Sequence, residues 1–314
     1  MSDFKERNKR IQEVSDLLPG SVPYVNVRKI RVAERHDGLT AIRFLEELKT
    51  YLSTEEWLAA IAAGHLRHED SALTPHMIVR AGECLVHLIP DTVEPEVDAA
   101  IRVIFEDPML FIVDKPAPLP VHPSGRFNKN TALLILKLAF PELCLRPAHR
   151  LDANTTGLLI FAKTQAAAHA MARQFEKRSV EKIYLVRVQG HPPDDTFCCD
   201  LPIHKLPNEA GVRAVNDQGL EAMTRFQVLS RFPDGTSLLK ARPTSGRTNQ
   251  IRLHLQETGH PICGDSVYSD SRDLTQGFCH QQKLFLHAWM MSFVHPLSEQ
   301  TIHLSTKRPD WAAR

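Results

Sequence analysis

The chain lacks a large excess of charge of either sign. Its 38 lysine and arginine residues nearly balance 37 aspartate and glutamate residues, so the net charge is +1 when the histidines are neutral. This balance excludes a strong positive field over the whole protein, of the kind that attracts nucleic acid from a distance. Any contact with nucleic acid must therefore come from local basic patches.

Long apolar runs are missing as well. No stretch approaches the ~20 apolar residues that a membrane-spanning helix needs. The N-terminal segment MSDFKERNKR also lacks the apolar core of a secretory signal peptide. We therefore expect a soluble, cytoplasmic protein that makes no membrane contact.

The cysteines are not arranged as metal ligands. Six cysteines and 16 histidines are present, but no cysteines have the C-x-x-C spacing of a zinc site. The neighbouring Cys198 and Cys199 are poorly placed to bond to each other, and reduced thiols would fit a reducing compartment. The sequence also lacks a glycine-rich phosphate-binding loop. These absences predict a protein with no metal and no cofactor.

The 314 residues are enough for two domains. Residues 91–96, DTVEPE, are acidic and contain a proline, and we place a linker there between an N-terminal region (residues 1–90) and a larger domain (residues 97–314). Within the N-terminal region, apolar residues at helical spacing predict an amphipathic helix over residues 1–20, which we expect to pack on its own protein. Ser53 and Glu56 have the spacing of a capping box and predict the start of another helix.

Polar side chains surround a tight turn in the middle of the chain. His149, Arg150 and Asp152 precede the turn-forming residues Asn154–Gly157, and the apolar run Leu158–Ala162 that follows is typical of a buried strand. Asp152 is thereby presented at the edge of a rigid sheet, where catalytic side chains are often found. The simpler alternative is that Asp152 only bonds to its local backbone.

Two more polar motifs follow this turn. The run Lys182–Val188 reads as a strand and carries Tyr184, which without other context would be a core residue. The run Gly246–Leu255, GRTNQIRLHL, predicts a helix that begins near Thr248. Three polar residues mark this second motif, and they are Arg247, Gln250 and Arg252.

The central stretch, HRLDANTTGLLIFAK, resembles the signature of the RluA-type RNA pseudouridine synthases. The two later motifs resemble that family's K-x-Y-x-A-x-V and G-R-T-H-Q-I-R-x-H motifs, in the same order. An earlier stretch, DKPAPLPVHP, resembles N-K-P-x-G-x-x-V-H-P. The departures from these patterns are Asp114 for Asn, Pro118 for Gly, Val186 for Ala and Asn249 for His.

The resemblance implies a set of site residues. Asp152 would be the essential catalytic carboxylate, Tyr184 the aromatic residue that packs on the target base, and Arg252 the arginine that pairs with the carboxylate. Further residues are implied to bind the substrate, and they are Arg150, His122, Arg126, Arg247 and Gln250.

The reaction implied by the resemblance is isomerisation of uridine in structured RNA, in which uracil is detached from C1′ and rejoined through C5. The uridine must first leave its stack, which favours loops over duplex. The extension H-P-S-G-R-F is most similar to the branch that acts on tRNA, so we favour the anticodon stem-loop over large-subunit rRNA.

The expected fold is α+β, a mixed and mainly antiparallel sheet with flanking helices and a central cleft. Residues 1–90 loosely resemble a divergent S4-like RNA-binding domain, and we expect a monomer. Two other functions stay open at this point. One is a non-catalytic RNA-binding assembly factor, and the other is a carboxylate hydrolase, which would need a second catalytic acid that no motif shows.

Overall fold

The structure, a computed structural model, describes residues 2–48, 52–69, 71–206, 212–268 and 283–312. The chain forms two compact units, one made of Met1–Pro19 with Glu96–Arg314 and the other of Gly20–Pro95. Within the described ranges, no helix has both the length and the apolar character to cross a membrane.

The helices are α1 (Ser2–Ser15), α2 (Ala41–Glu47), α3 (Thr54–Ala62), α4 (Ala132–Ala139), α5 (Gln165–Glu176) and α6 (Gln250–Glu257), with short 3-10 turns at Glu34–His36 and Asp310–Ala312. The strands are β1 (Tyr24–Arg31), β2 (Leu66–His68), β3 (Ser71–Ala72), β4 (Cys84–Thr92), β5 (Arg102–Glu106), β6 (Leu110–Lys115), β7 (Arg146–Pro147), β8 (Thr156–Ala162), β9 (Glu181–Gln189), β10 (Thr196–Cys199), β11 (Thr224–Arg231), β12 (Thr236–Pro243), β13 (Leu286–Val294) and β14 (Thr301–Ser305).

The smaller unit is an antiparallel sheet, in the order β1-β4-β2-β3, combined with helices α2 and α3. Phe44, Trp57 and Leu85 lie in its buried core. The predicted capping box is confirmed, because Ser53 Oγ accepts from the Glu56 backbone N–H at 3.3 Å and Glu56 accepts from the Ser53 N–H at 2.7 Å. The likeness of this unit to an S4 domain stays a prediction.

The larger unit is built on one mixed sheet, in the order β10-β11-β12-β9-β13-β8-β6-β5, with β14 beside β13 and β7 beside β8. Among the described strands of this sheet, only β8 and β13 pair in parallel. The predicted α+β fold with a mixed, mainly antiparallel sheet is therefore confirmed.

Strands β6 and β8 form the buried centre of this sheet. Phe111 and Phe161 face the core that contains α1 and α4, whereas Ile112 and Ile160 face the core that contains α5. Because both faces are covered, the two strands are continuous apolar runs rather than alternating ones. The predicted strand Leu158–Ala162 lies within β8, at the position that places Asp152 just outside the sheet.

Helix α1 packs on the larger unit. The sequence instead predicts that α1 belongs with the rest of residues 1–90. Ile11 is buried in the core beside α4, and Asn8 Oδ1 accepts from the Val103 N–H of β5 at 2.8 Å. Arg7 also forms an ion pair with Glu106 at 3.0 Å. An amphipathic pattern shows that a helix needs an apolar partner, but it does not show which part of the chain supplies that partner.

Candidate active site

The loop that carries Asp152 is held at the sheet edge by a close approach between strands. Gly157, at the start of β8, has φ +109°, and a Cβ atom there would lie 2.2 Å from the Ala288 carbonyl oxygen of β13. Glycine is therefore required for β8 and β13 to pair at this point. The Thr155 N–H donates to the Asp152 carbonyl at 3.0 Å and closes the turn.

Lys115 anchors the same loop from inside the protein. Its buried ammonium donates to the carbonyl oxygens of Pro116, Leu119 and Ala153 at 2.8, 2.8 and 3.1 Å. Burial lowers the pKa of Lys115 to about 7, and the negative charge of Asp152 opposes that shift. Three carbonyl acceptors favour the charged form, which has three hydrogens to donate. The lysine thus joins the loop after β6 to the loop that carries Asp152.

Arg252, in α6, lies between two carboxylates. Its Nε and Nη2 donate to Asp265 at 2.7 and 2.8 Å, a bidentate pair, while Nη1 lies 3.4 Å from Asp152 Oδ2. The Asp265 side chain is fully buried, and that of Asp152 is 33% exposed. Asp265 therefore fixes the guanidinium, and the remaining edge faces Asp152.

The opposite charges of Arg252 and Asp265 stabilise each other's ionised forms. Burial opposes the charged forms of both Arg252 and Asp265. The hydrogen bonds and opposite charges of the pair outweigh burial, so the pKa of Arg252 is raised and the pKa of Asp265 is lowered. The Arg252 guanidinium thus keeps a positive charge beside Asp152.

Asn249 fits the place where the resembled motif has histidine. It adopts the left-handed conformation, with φ +57°, which asparagine tolerates better than most residues. Its Oδ1 accepts from Arg252 at 3.1 Å, and its Nδ2 donates to the Tyr268 hydroxyl at 3.1 Å. Tyr268 in turn lies against the guanidinium, with 5.0 Å between Arg252 Cζ and the ring centroid. Asn249 thus helps to orient Arg252.

Tyr184 lies in the middle of the sheet, opposite Ala241 of β12 and Ala288 of β13. Its hydroxyl makes no hydrogen bond to the part of the chain that the structure describes. Burial, and then the charge of Asp152, raise the pKa of Tyr184, so the hydroxyl stays protonated. The ring therefore offers an aromatic face and a proton donor to the cleft.

These residues meet in one open cleft. Its polar lining includes Arg150, Asp152, Lys182, Tyr184, Arg247, Gln250 and Arg252. All three residues predicted to be catalytic thus lie together.

The residues predicted to bind substrate divide into three groups. Arg150 and Arg247 line the cleft, and the Arg247 Nε donates to the Glu221 carbonyl at 3.2 Å. Gln250 also lines it, but its amide bonds to the protein itself, through Ser245, Met223 and Thr224. His122 and Arg126 belong to the loop after β6 and are not part of the cleft lining.

Lys182 is a cleft residue that sequence reasoning missed. It stands two residues before Tyr184 on β9, so both side chains lie on one face of the strand. Its ammonium donates to the Ser245 carbonyl at 2.9 Å, and burial lowers its pKa to about 8. The lysine of the K-x-Y-x-A-x-V motif is the feature of the sequence that could have indicated Lys182. No metal-binding group of three or more His, Cys, Asp or Glu residues occurs among the described residues.

Comparisons of the chain with known proteins agree with the motifs and the cleft. A family model described as RNA pseudouridylate synthase matches residues 109–257, which include Asp152, Tyr184 and Arg252. The chain is 33% identical over 302 residues to Ribosomal large subunit pseudouridine synthase D of Nitrosomonas europaea, a match that covers 93% of this chain and 87% of that protein. The chain belongs to the RNA pseudouridylate synthase family. Within this family it is of the RluA type.

Other members of the family are similar over shorter stretches. Pseudouridylate synthase RPUSD2 of Homo sapiens is 39% identical over 212 residues, which are 67% of this chain and 39% of that protein. The mitochondrial tRNA pseudouridine(32) synthase of Saccharomyces cerevisiae is 33% identical over 233 residues, or 72% of this chain and 49% of that protein. The chain thus matches less than half the length of either relative.

A solved structure of the family has a similar fold. Human RNA Pseudouridylate Synthase Domain Containing 4 superposes with a TM-score of 0.55 at 26% identity, over 67% of this chain and 90% of that one.

Proposed function

We propose that the protein is an RNA pseudouridine synthase that isomerises uridine in structured RNA. The observation that carries the proposal is the arrangement of Asp152, Arg252 and Tyr184 in one cleft, with Arg252 Nη1 3.4 Å from Asp152 Oδ2. A carboxylate beside a guanidinium and an aromatic face suits chemistry on a flipped pyrimidine.

In this proposal each residue acts on the uridine directly or through Asp152. The bond between C1′ and N1 of the uridine breaks, a bond between C1′ and C5 forms, and the C5 proton is lost as N1 gains one. Asp152 acts as nucleophile or base, and each of these roles needs the ionised carboxylate. Arg252 places a positive charge beside it, and Tyr184 stacks on the base and can exchange a proton at C5. The product has the same atoms as the uridine, so the reaction is an isomerisation.

Arg150 and Arg247 would hold the substrate. Arg150 is exposed beside Asp152, where its guanidinium can take the place of the flipped uridine or bind a phosphate. Arg247, at the entrance to α6, is suited to a phosphate contact. His122 and Arg126 would act on RNA outside the cleft, from the loop that Lys115 joins to Asp152.

We favour the tRNA anticodon stem-loop as substrate. The H-P-S-G-R-F stretch and the similarity to a yeast tRNA pseudouridine(32) synthase support this choice. Large-subunit rRNA is the second candidate, because the similarity to a bacterial large-subunit synthase covers 93% of this chain. A cytoplasmic location stays a prediction.

We also propose that the unit Gly20–Pro95 binds RNA in the manner of an S4 domain. The support is a set of basic residues on β1 and β2, the two strands that pair with β4, and they are Arg28, Lys29, Arg31 and Arg67.

The test of the catalytic proposal is pseudouridine mapping. Unmodified tRNA and large-subunit rRNA transcripts would be incubated with the wild-type chain, with Asp152→Asn and with Asp194→Asn, a matched exposed control. We expect wild type and Asp194→Asn to form pseudouridine in tRNA, and Asp152→Asn to bind the RNA without forming product. Product from Asp152→Asn would refute the catalytic assignment.

The same experiment separates the alternatives. RNA binding without product from the wild-type chain would support a non-catalytic RNA-binding factor. A hydrolase would need a second available acid, and Asp265, the other carboxylate at this site, is buried against Arg252. Cleaved RNA rather than pseudouridine would be the result that favours a hydrolase.

A further inference from the structure

A row of basic residues lies on the larger sheet, on the face opposite the cleft. Arg225 of β11 stands directly opposite Arg242 of β12, and Gln227 stands opposite Lys240. Because side chains two residues apart on a strand share a face, Arg225, Arg242 and Lys240 all point to the same side of the sheet. Ala241, on the other side, lies next to Tyr184 and the cleft.

These three residues line an open groove at the end of the sheet. The other polar members of its lining are Thr196, Cys198 and Gln227, and no carboxylate belongs to the lining among the described residues. The row continues from Lys240 to Arg308, and both lie against the ring of Trp289. Lys240 Nζ is 6.0 Å and Arg308 Cζ is 4.7 Å from the centroid of that ring. We call Arg225, Lys240, Arg242 and Arg308 the basic strip.

The charges of the basic strip are poorly neutralised by the protein itself. In the part of the chain that the structure describes, Arg225 makes no ion pair and no side-chain hydrogen bond. Arg242 lies 4.0 Å from Glu181, with both side chains about half exposed, and such a contact contributes little. Like charges directly opposite each other in a sheet are destabilising. An anionic ligand would remove this repulsion.

The basic strip begins where the cleft ends. Arg242 is followed along the chain by Pro243, Ser245 and Arg247, which line the cleft. An RNA strand that leaves the cleft over the end of β12 therefore meets Arg242 and Arg225 next. The whole chain has a net charge of only +1, so this local concentration is not a consequence of a basic composition.

We infer that the basic strip is an additional RNA-binding surface, which holds phosphates of the substrate flanking the nucleotide in the cleft. This inference rests on the proposed function, because it takes the anionic partner to be the RNA substrate. The groove would contact backbone rather than bases, since cations on a sheet surface position an RNA without reading its sequence. An acidic protein segment is the alternative partner.

The test compares two triple variants of the full chain that lose the same charge. Arg225→Gln/Lys240→Gln/Arg242→Gln removes the centre of the strip. Lys5→Gln/Lys9→Gln/Lys137→Gln, on α1 and α4, is the control. Affinity for an unmodified tRNA transcript and for its isolated anticodon stem-loop would be measured over a salt series.

We expect the strip variant to bind full-length tRNA at least tenfold more weakly than the control, with a smaller loss for the stem-loop. The slope of log K against log salt should become less negative by about two, because each phosphate contact on single-stranded RNA contributes about 0.7. Thermal unfolding of Arg225→Gln alone should show equal or higher stability, since one of the two facing charges is gone.

Equal affinities and slopes for the two triple variants would overturn the inference. The basic strip would then be assigned to an acidic protein partner. A wild-type chain without salt-dependent affinity for RNA would overturn it too. Failure of the proposed function has a different signature. In that case the slopes would differ between the variants as expected, but the wild-type chain would form no pseudouridine.

Discussion

At the scale of single residues, the guanidinium of Arg252 is shared between two carboxylates of different exposure. Asp265 takes two of its nitrogens in a buried bidentate pair, and Asp152 faces the third at the cleft. The buried pair sets the position of Arg252, and the exposed carboxylate stays open to substrate. Asp265 thus acts through Arg252 rather than on the uridine.

Asp265→Asn tests this positioning role. The substitution leaves a buried guanidinium with one carboxylate at 3.4 Å in place of a bidentate pair. We expect the free energy of unfolding to fall by about 3 kcal/mol, because breaking a buried ion pair leaves an uncompensated charge. We also expect pseudouridine formation to be lost. Urea unfolding and product mapping are the measurements.

Asp195→Asn is the matched control for Asp265→Asn. It removes another aspartate–arginine pair, Arg231–Asp195, in which the aspartate side chain is 81% exposed. Exposed pairs contribute little, so urea unfolding should be unchanged. An Asp265→Asn variant as stable and active as Asp195→Asn would contradict the role given to Asp265.

Lys182 makes the cleft sensitive to pH. Burial lowers its pKa to about 8, so its positive charge is present at pH 7 and mostly lost at pH 9. Affinity for RNA should therefore fall between these pH values. Lys182→Arg, which stays charged, should flatten the fall, and Lys137→Arg, an exposed lysine of α4, should not. Binding measured at pH 7, 8 and 9 tests this, and an unchanged fall in Lys182→Arg would refute it.

The site was partly predictable at this scale. Asp152, Tyr184 and Arg252 each stand in a motif of their own, so their residue types and order pointed to one site. Lys182 also lies within a motif, whereas Asp265 lies beyond the last one, and the importance of both depends on contacts with residues distant in the sequence. Gln250 also bonds to the loop before α6, through Ser245 and Arg247, and its contact with substrate stays a prediction.

At the scale of strands and helices, the position of the Asp152 loop depends on how closely β8 and β13 approach. Their parallel pairing spans only two residue pairs, Thr156 with His287 and Gly157 with Ala288. Thr156 Oγ1 also bonds to His287 Nδ1 at 2.7 Å, and the His287 Nε2 bonds to Thr306 at 2.6 Å. A short junction that is tied by these side-chain hydrogen bonds leaves little room for a side chain at Gly157.

Gly157→Ala tests this junction. The new Cβ would lie 2.2 Å from the Ala288 carbonyl oxygen, in a backbone conformation with φ +109°. We expect a loss of about 3 kcal/mol in the free energy of unfolding, together with reduced activity as the Asp152 loop shifts. Gly235→Ala, with φ +81° and open space around it, separates the conformational cost from the clash. It should lose about 1 kcal/mol, and equal losses in the two variants would contradict the packing argument.

An apolar run made β8 predictable, and a capping box made the start of α3 predictable. Strand β10 was not predicted, because its four residues lie in a polar segment and are too few to show a period. Strand β7, with two residues, gives even less signal, and it forms only because β8 offers a partner edge. Both strands form because they pair with segments that are distant in the sequence.

At the scale of the whole molecule, the N-terminal helix contributes to a unit from which it is separated by residues 20–95 in the sequence. Ile11 is 1% exposed in the core that includes Phe140, and Arg7 and Lys163 both pair with Glu106. The larger unit therefore includes α1 as part of its core. Damage to α1 should weaken this unit and spare the smaller one.

Ile11→Ala tests that assignment in a way that distinguishes the two units. The chain has three tryptophans. Trp57 lies in the smaller unit, whereas Trp289 and Trp311 lie in the larger one. In a Trp57→Phe background, tryptophan fluorescence therefore follows the larger unit alone. Ile11→Ala in this background should lower its free energy of unfolding by about 3 kcal/mol, as expected for loss of a buried isoleucine side chain.

The control is Leu17→Ala, which truncates an apolar residue of the same segment that is 67% exposed. It should leave the transition unchanged, because little apolar surface is lost from a core. Pseudouridine formation should also fail at a lower temperature in Ile11→Ala than in Leu17→Ala, since the cleft belongs to the unit that α1 supports. If the two variants unfold alike and stay active to the same temperature, α1 is not part of the folded core of the larger unit.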